Sequence, residues 1–572
     1  MNSTIEKKGH PKGLYILFAT EMWERFNYYG MRAILVLFMT QALLFDKAFA
    51  SNLYGSYTSF VYLTTLFGGF IADKYWGNKR SIILGGIVMA IAEFILFFCA
   101  SLYKSNPDTS SILFFVGLGT MIAGYGFFKP NISSMVGQLY PKGDRRIDAA
   151  YTIFYMGINT GGAIGPFICG LVGNTGNPED FKWAFLASGI AMSLSVIVQK
   201  VFHDKYTLSP EKKVLGLTPE NAPKKVIKPA LITVGFIVLS FITIGLLYID
   251  AKIFSYLTYL LLATVIFIAA FIFSDKSLNR IEKERIAVIF IVSFFVVFFW
   301  SAFEQAGASL TFFADEQTNR NANLHIPLWL IITLSLLLLF YFYKLFAKTK
   351  QTLGTDYDKE LRLTVHGLLL LFSLAIIAGN LYLVVNKMTS IELKEIPAAW
   401  FQSLNSIFVV SLAPLFAWLW LKLGKREPSS PTKMAFGLLL LSLGYFWIAY
   451  GVNNVAPGIK VSMIWLTGMY ILHTCGELCL SPIGLSLTNK LAPFKYASLL
   501  MAVWFLANAA ANKLAGVLSA LYPDKKTTYF LGYEMSNLHE FFMLFVVMAG
   551  VASLILFLLT KRLQKIMHMN VQ

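Results

Sequence analysis

The chain has 572 residues, of which 56% are hydrophobic, 15% aromatic and only 14% charged, with a formal net charge of +17. A soluble domain of this size would be about a quarter charged. Apolar runs long enough to cross a hydrocarbon core recur throughout, and no stretch reads as a separate aqueous domain, so the composition excludes a soluble protein and defines an all-α polytopic membrane protein.

Sixteen apolar segments follow in chain order: 14–40, 52–72, 81–102, 112–136, 149–172, 184–202, 229–248, 254–273, 287–310, 327–346, 366–386, 398–421, 434–451, 462–486, 498–520 and 541–560. With the N-terminus set inside, cytoplasmic ends and joints hold 34 Lys and Arg and outer joints hold 10. That asymmetry is the positive-inside pattern, joined by attraction to anionic lipid, so the basic excess signals orientation and not nucleic acid. Lys7, Lys8 and Lys12 precede the first apolar run, as in a signal peptide, but Glu21, Glu24 and Arg25 interrupt that run. The first segment is therefore expected to be an uncleaved helix, with both termini cytoplasmic. Cys99, Cys169, Cys475 and Cys479 all fall in apolar segments, which reads as buried thiols and not as a disulfide scaffold or a metal site.

The segments group as a six-helix bundle over 1–202, joints and a middle helix hairpin over 203–286, and a second six-helix bundle over 287–572 that contains an inserted hairpin, 327–386. Two six-helix halves are the layout of a major-facilitator transporter, whose halves rock about a central site. The inserted hairpin reads as a lipid-facing accessory.

Ionisable residues inside spans are costly and mark function by default. In segment 14–40, Glu21, Glu24, Arg25, Tyr28, Tyr29 and Arg32 share one helical face. Two carboxylates beside an arginine suit a proton site, since the cation and desolvation pull their proton affinity in opposite directions; a purely structural ion-pair staple is the plainer alternative. Other spans carry Lys129, Glu304 and Glu477, the last on a face with His473 and Ser481. Cations and anions divided between the halves fit a zwitterionic substrate, salt bridges that gate, or both. His473 reads as a proton relay or a packing histidine, and Glu93 and Lys513 as packing or rim residues without sequence-adjacent partners.

Five ordered motifs carry a resemblance. They are Glu21-x-x-Glu24-Arg25-Phe-x-Tyr28-Tyr29, the stretch Gly68 to Arg80, Phe128-Lys129-Pro130-Asn131, Phe154-Tyr155 to Gly161, and Gly476-Glu477 to Ser486. Together they resemble the proton-dependent oligopeptide transporters, the peptide-transporter branch of the major facilitators, and the middle hairpin resembles that of bacterial members. The resemblance implies a proton-coupled symporter importing di- and tripeptides across the inner membrane by alternating access. Its coupling ion is the proton, with no other cofactor and no enzymatic activity.

By the same resemblance, Glu21 and Glu24 handle the proton, with Arg25 tuning them and Lys129 linked to coupling. Arg32 takes the peptide carboxylate or pairs with Glu304 to close the outer side, and Lys129 pairs with Glu477 to close the inner side. Asn159, Asn405 and Glu477 hold the peptide amino end and backbone. Tyr29, Tyr62, Tyr155, Trp300, Ser481 and Trp504 line side-chain pockets. Segment 52–72 departs from animal members in lacking a histidine, Thr65 stands where a proline is usual, and Ser406 follows Asn405 in place of proline. The competing transport reading is nitrate or another small anion, which Glu477 would repel. A membrane enzyme or sensor lacks a supporting constellation or appended domain.

Overall fold

The computed structural model describes residues 9–141, 143–144, 146–221, 228–253, 255–352, 359–456, 458–524 and 527–568. The two termini with Lys7 and Lys8, and parts of the basic joints 203–228 and 344–362, lie outside the described residues.

Among the described residues, seventeen α-helices carry the fold: α1 Lys12–Gln41, α2 Lys47–Ile71, α3 Asn78–Leu102, α4 Pro107–Gln138, α5 Ile147–Gly173, α6 Phe181–Tyr206, α7 Pro229–Tyr248, α8 Leu257–Phe273, α9 Arg280–Phe303, α10 Ser309–Glu316, α11 Leu328–Thr352, α12 Lys359–Val385, α13 Trp400–Leu423, α14 Ser430–Gly451, α15 Met463–Leu491, α16 Ala497–Ser519 and α17 Leu538–Met567. Fifteen of the sixteen apolar segments fall each on one helix over their described residues, apart from their ends, and 287–310 is divided between α9 and α10. Among the described residues, thirteen spans are long and apolar enough on their own to cross a membrane. The α8 helix is short, at 17 residues, while α1 and α2 carry the charges and hydroxyls that line the interior. Local chemistry sets several starts. Asp46 accepts the amide hydrogens of Ala48 and Phe49 at α2, and Asn279 with Glu282 forms a reciprocal capping box at α9.

In the first bundle α1 packs on α5 and α6, α3 on α4 and α6, and α2 on α4. In the second, α14 packs on α15 and α17, α9 on α16 and α17, and α13 on α15. The halves meet where α2 crosses α16 and α5 crosses α13. At the first crossing, Gly55 and Gly516 let the backbones touch: a Cβ on Gly516 would lie 2.7 Å from both Gly55 Cα and the Ser51 carbonyl oxygen. Small residues at such crossings are what close helix packing in a membrane requires. Gly516→Ala is therefore expected to cost about 1–3 kcal/mol through overpacking. A thermal melt of the purified protein checks this, with Gly245→Ala, whose Cβ would meet open space, as the unaffected control.

The face on which α1 begins is called the basic face, after its Lys and Arg excess. Hydrogen bonds and ion pairs between the halves collect toward the opposite face. Lys47 pairs with Glu316 at 2.7 Å and Asp524 at 3.3 Å, and Gln41 donates to Asp315 at 2.8 Å. Ser403 donates to the Ala163 carbonyl at 2.7 Å and the Trp400 indole to that of Phe167 at 2.9 Å. The molecule is thus closed at the opposite face, while the basic-face ends of α2 and α5 leave Phe67, Tyr151 and Tyr155 exposed.

Two hairpins bridge the halves. In the middle hairpin, α7 lies on α4 and α2, and α8 lies on α16. At the basic face Asp275, just past α8, accepts from Lys495 and the Tyr496 hydroxyl, both at 2.6 Å. These bonds hold its carboxyl well below the usual carboxylate range. The inserted hairpin leaves the second half through an antiparallel ribbon, β1 (Asn321–Pro327) with β2 (Ser390–Glu395). Its helices α11 and α12 then cross to the first half, where Phe342, Leu345, Val365 and Leu369 pack on Leu194, Val198 and Phe202 of α6. Its inner surface thus covers α6, while its outer surface leaves Trp329, Leu337 and Leu371 exposed.

One apolar segment is not continuous. Segment 287–310 breaks after Phe303 into a 3-10 turn, Glu304–Gly307, before α10 begins. No proline marks the break. The turn packs tightly against α2, where a Cβ on Gly307 would collide with the Tyr54 hydroxyl, and Ser309 donates to the Gln305 side chain at 2.5 Å.

Candidate functional site

The charged face of α1 points into the bundle. Glu21 and Glu24 are fully buried and Arg25 is nearly so. Arg25 grips Glu24 with two parallel bonds of 2.6 and 2.7 Å, the bidentate geometry that gives strength and direction. Its guanidinium also donates to the Tyr125 hydroxyl at 3.1 Å and lies 5.0 Å from the Tyr28 ring centre. Glu21 stands 3.5 Å from Arg25 and accepts a hydrogen bond from Lys129. The four groups form a balanced network of two cations and two carboxylates, built from α1 and the basic-face half of α4.

The expected Lys129–Glu477 gate is therefore not made in this structure: Lys129 is paired with Glu21. The reason is geometric, since the halves touch at the opposite face while these two residues lie deeper, toward the open side. Glu477 instead accepts from Asn405 at 2.8 Å. Asn405 also donates to Thr474 at 3.2 Å, so it aims at Glu477 although serine follows it. That serine, Ser406, packs on Gly162 of α5 and brings α13 against the first half.

Arg32 and Glu304 are joined at 2.5 Å, both side chains only 8% exposed. The helix break after Phe303 swings Glu304 into this position, beneath the closed face. The arginine lies against the Tyr29 and Tyr54 rings, 5.7 and 5.8 Å from their centres. Tyr29 is in electrostatic reach of Arg32, Glu304 and Glu477 alike, Tyr62 neighbours Tyr29 and Glu304, and Tyr29, Tyr62, Trp300 and Ser481 are all half-buried. Tyr29, Tyr155 and Glu304 are electrostatic neighbours of Glu477, which places the anionic pole of one half opposite the cationic pole of the other.

Other expected residues take local roles here. Asn159 turns its amide back onto the Tyr155 carbonyl at 2.9 Å, and Trp504 covers Gly484 of α15. His473 is buried between the rings of Tyr445 and Phe303 and against Gly444, the surroundings of a packing histidine. Glu93 accepts from Asn27 at 2.7 Å. Tyr125 and Tyr54 were not singled out from sequence. Tyr125 stands four residues before Lys129 on the same helical face, and that spacing was the available signal. Lys513 has a partner after all, in Asp250.

Two six-helix bundles that touch at one end and share buried opposite charges define a multi-pass membrane transporter of the major-facilitator type. The chain belongs to the POT family, whose model matches residues 79–390 and 380–535. It is 32% identical over 535 residues to "Uncharacterized transporter YclF" of Bacillus subtilis, covering 92% of this chain and 90% of that one. It is also 32% identical over 528 residues to "Peptide transporter YePEPT" of Yersinia enterocolitica, covering 89% and 88%. Among solved structures, a mutant of peptide transporter POT in complex with alafosfalin matches with a TM-score of 0.73 at 30% identity, over 99% of this chain and 97% of that chain. A POT family transporter in complex with 5-aminolevulinic acid matches with a TM-score of 0.72 at 27% identity, over 97% of each.

Proposed function

We propose that the protein is a proton-coupled symporter that imports di- and tripeptides across a bacterial inner membrane by alternating access, with the basic face cytoplasmic. The observation that carries this reading is the pair of poles contributed by the two halves, Arg32 on α1 and Glu477 on α15, with the half-buried Tyr29 in electrostatic reach of both. What all short peptides share is two charged termini and an amide backbone. Fixed charges and amides recognise those, while aromatic walls tolerate varied side chains. The similarity to named peptide transporters supports the same substrate class.

On this reading the present arrangement is inward-facing. Arg32 is engaged by Glu304 and unavailable to a peptide carboxylate, and the carboxylates of α1 are engaged by Arg25 and Lys129. A proton taken by Glu21 or Glu24 leaves the network with a net positive charge. Lys129, released from Glu21, is then attracted to Glu477 and closes the basic face. Loss of the proton restores the Glu21–Lys129 bond and opens that face, releasing peptide inward. A membrane potential supplies about 2.3 kcal/mol per charge per 100 mV, enough to sustain accumulation with one proton per peptide.

The test is uptake of labelled dialanine into proteoliposomes, with and without an inward proton gradient, with a tripeptide and nitrate as competitors. Gradient-driven uptake blocked by the tripeptide and indifferent to nitrate is the expected result. Uptake of nitrate with no uptake of dialanine would replace the peptide reading by the anion reading.

A further inference from the structure

Lys513 of α16 looks isolated in sequence, yet it sits at a three-way junction. Its ammonium lies 2.6 Å from Asp250, with side chains 3% and 0% exposed. Asp250 occupies the turn between α7 and α8. Ser56 of α2 donates to the same Asp250 oxygen at 2.6 Å, and Lys513 donates to Ser56 at 2.8 Å. The second Asp250 oxygen accepts the Leu257 amide hydrogen at the start of α8, at 2.8 Å. The node therefore joins the first half, the second half and the middle hairpin. It lies beside the Gly55–Gly516 contact, with Ser519 bonded to Ser51 at 3.2 Å one to two turns nearer the opposite face.

Apolar residues would hold this crossing as well or better, since desolvating an ion pair offsets most of its attraction. A buried pair's particular property is dependence on geometry. It is satisfied in one arrangement of its helices, and breaking it leaves an uncompensated charge. The α2–α16 crossing is where the halves must move if the opposite face opens, and the hairpin touches both sides of it, α7 on α2 and α8 on α16.

We propose that Asp250 and Lys513, with Ser56, are gating residues of the transport cycle, a second latch beside Arg32–Glu304 that holds the opposite face shut through the middle hairpin and is undone when that face opens. The inference rests on the alternating-access reading above. It gives the hairpin a mechanical task, a clasp laid across both halves, fixed to the second half at the basic face by Asp275 and Lys495.

The experiment reads accessibility in protein whose four native cysteines are replaced by serine. A cysteine at Thr311, which is buried under the closed face and accepts from Gln402 at 2.9 Å, reports opening there. A cysteine at Thr152, exposed on α5 one to two turns from Tyr155 and Asn159, reports opening at the basic face. In the parent protein, dialanine with acidification should move labelling of the two cysteines by a maleimide in opposite directions; no response overturns alternating access and this inference together. With that response in place, Asp250→Asn and Lys513→Gln are each expected to raise labelling at residue 311 by about tenfold and lower it at residue 152, and the double variant to add little more. A staple without a gating role would lower thermal stability without moving the ratio of the two rates. Ser56→Ala keeps the charges paired and is expected to shift the ratio in the same direction by about threefold. An unchanged ratio in Ser56→Ala and in whichever charge variants fold would overturn the latch while leaving alternating access standing.

Discussion

Glu24→Gln should abolish proton-driven accumulation of peptide while leaving peptide exchange between the two sides of the membrane intact. Arg25 spends both arms of its guanidinium on Glu24, so this carboxylate is where a proton most directly changes the charge balance of the α1 network. Glutamine keeps the shape and can still accept one hydrogen bond, and Glu21 remains 3.5 Å from Arg25 to balance its charge. The fold is therefore expected to survive. For one proton per peptide, each pH unit of gradient is worth about a tenfold accumulation, and the variant should forfeit all of it. Proteoliposomes loaded with peptide separate the two activities, since counterflow needs no net proton movement. A variant that still concentrates dialanine against its gradient would move the coupling site away from Glu24.

Glu477→Gln should weaken peptide binding by about 10- to 100-fold, the worth of one charge-assisted hydrogen bond to an ammonium group. The bond from Asn405 keeps an acceptor oxygen in the variant, so the loss is chiefly that of charge. Blocking the amino end of the peptide provides the internal control. N-acetyl dialanine should bind the parent protein far more weakly than dialanine, and the variant should scarcely distinguish the two. Titration of the purified protein by calorimetry reads both. Equal binding of dialanine by parent and variant would place the ammonium pole elsewhere.

The helices were legible because membrane spans announce themselves as apolar runs, and the α1 stripe was legible because 3.6-residue periodicity places Glu21, Glu24, Arg25 and Arg32 on one side. The pairing of these charges was legible only in part. Sequence offers Lys129 a carboxylate partner in either half, Glu21 or Glu477, and only the three-dimensional arrangement shows that it meets Glu21. The break at Glu304–Gly307 carries no proline, and its close contact with Tyr54 comes from another helix. Asp250 reads in sequence as an ordinary polar turn residue. Only the path of the turn, which is a π-helix at Ile249–Ile253, sends it inward to Lys513. Tyr125 lacked a charge to draw notice, although it completes the coordination of Arg25.

The inserted hairpin belongs to the second half by connectivity and to the first half by packing. The flank of α6 that receives Phe342, Leu345 and Leu369 is finished long before those residues leave the ribosome, because Tyr206 precedes Leu328 by the whole middle hairpin and the first helix of the second half. Domains are synthesised from the N-terminus forward. The first bundle must therefore wait in the bilayer with one side covered only by lipid until the later helices arrive to displace it. Assembly of the two halves is thus sequential but not independent, and the last surface of the earlier half is completed by the later one.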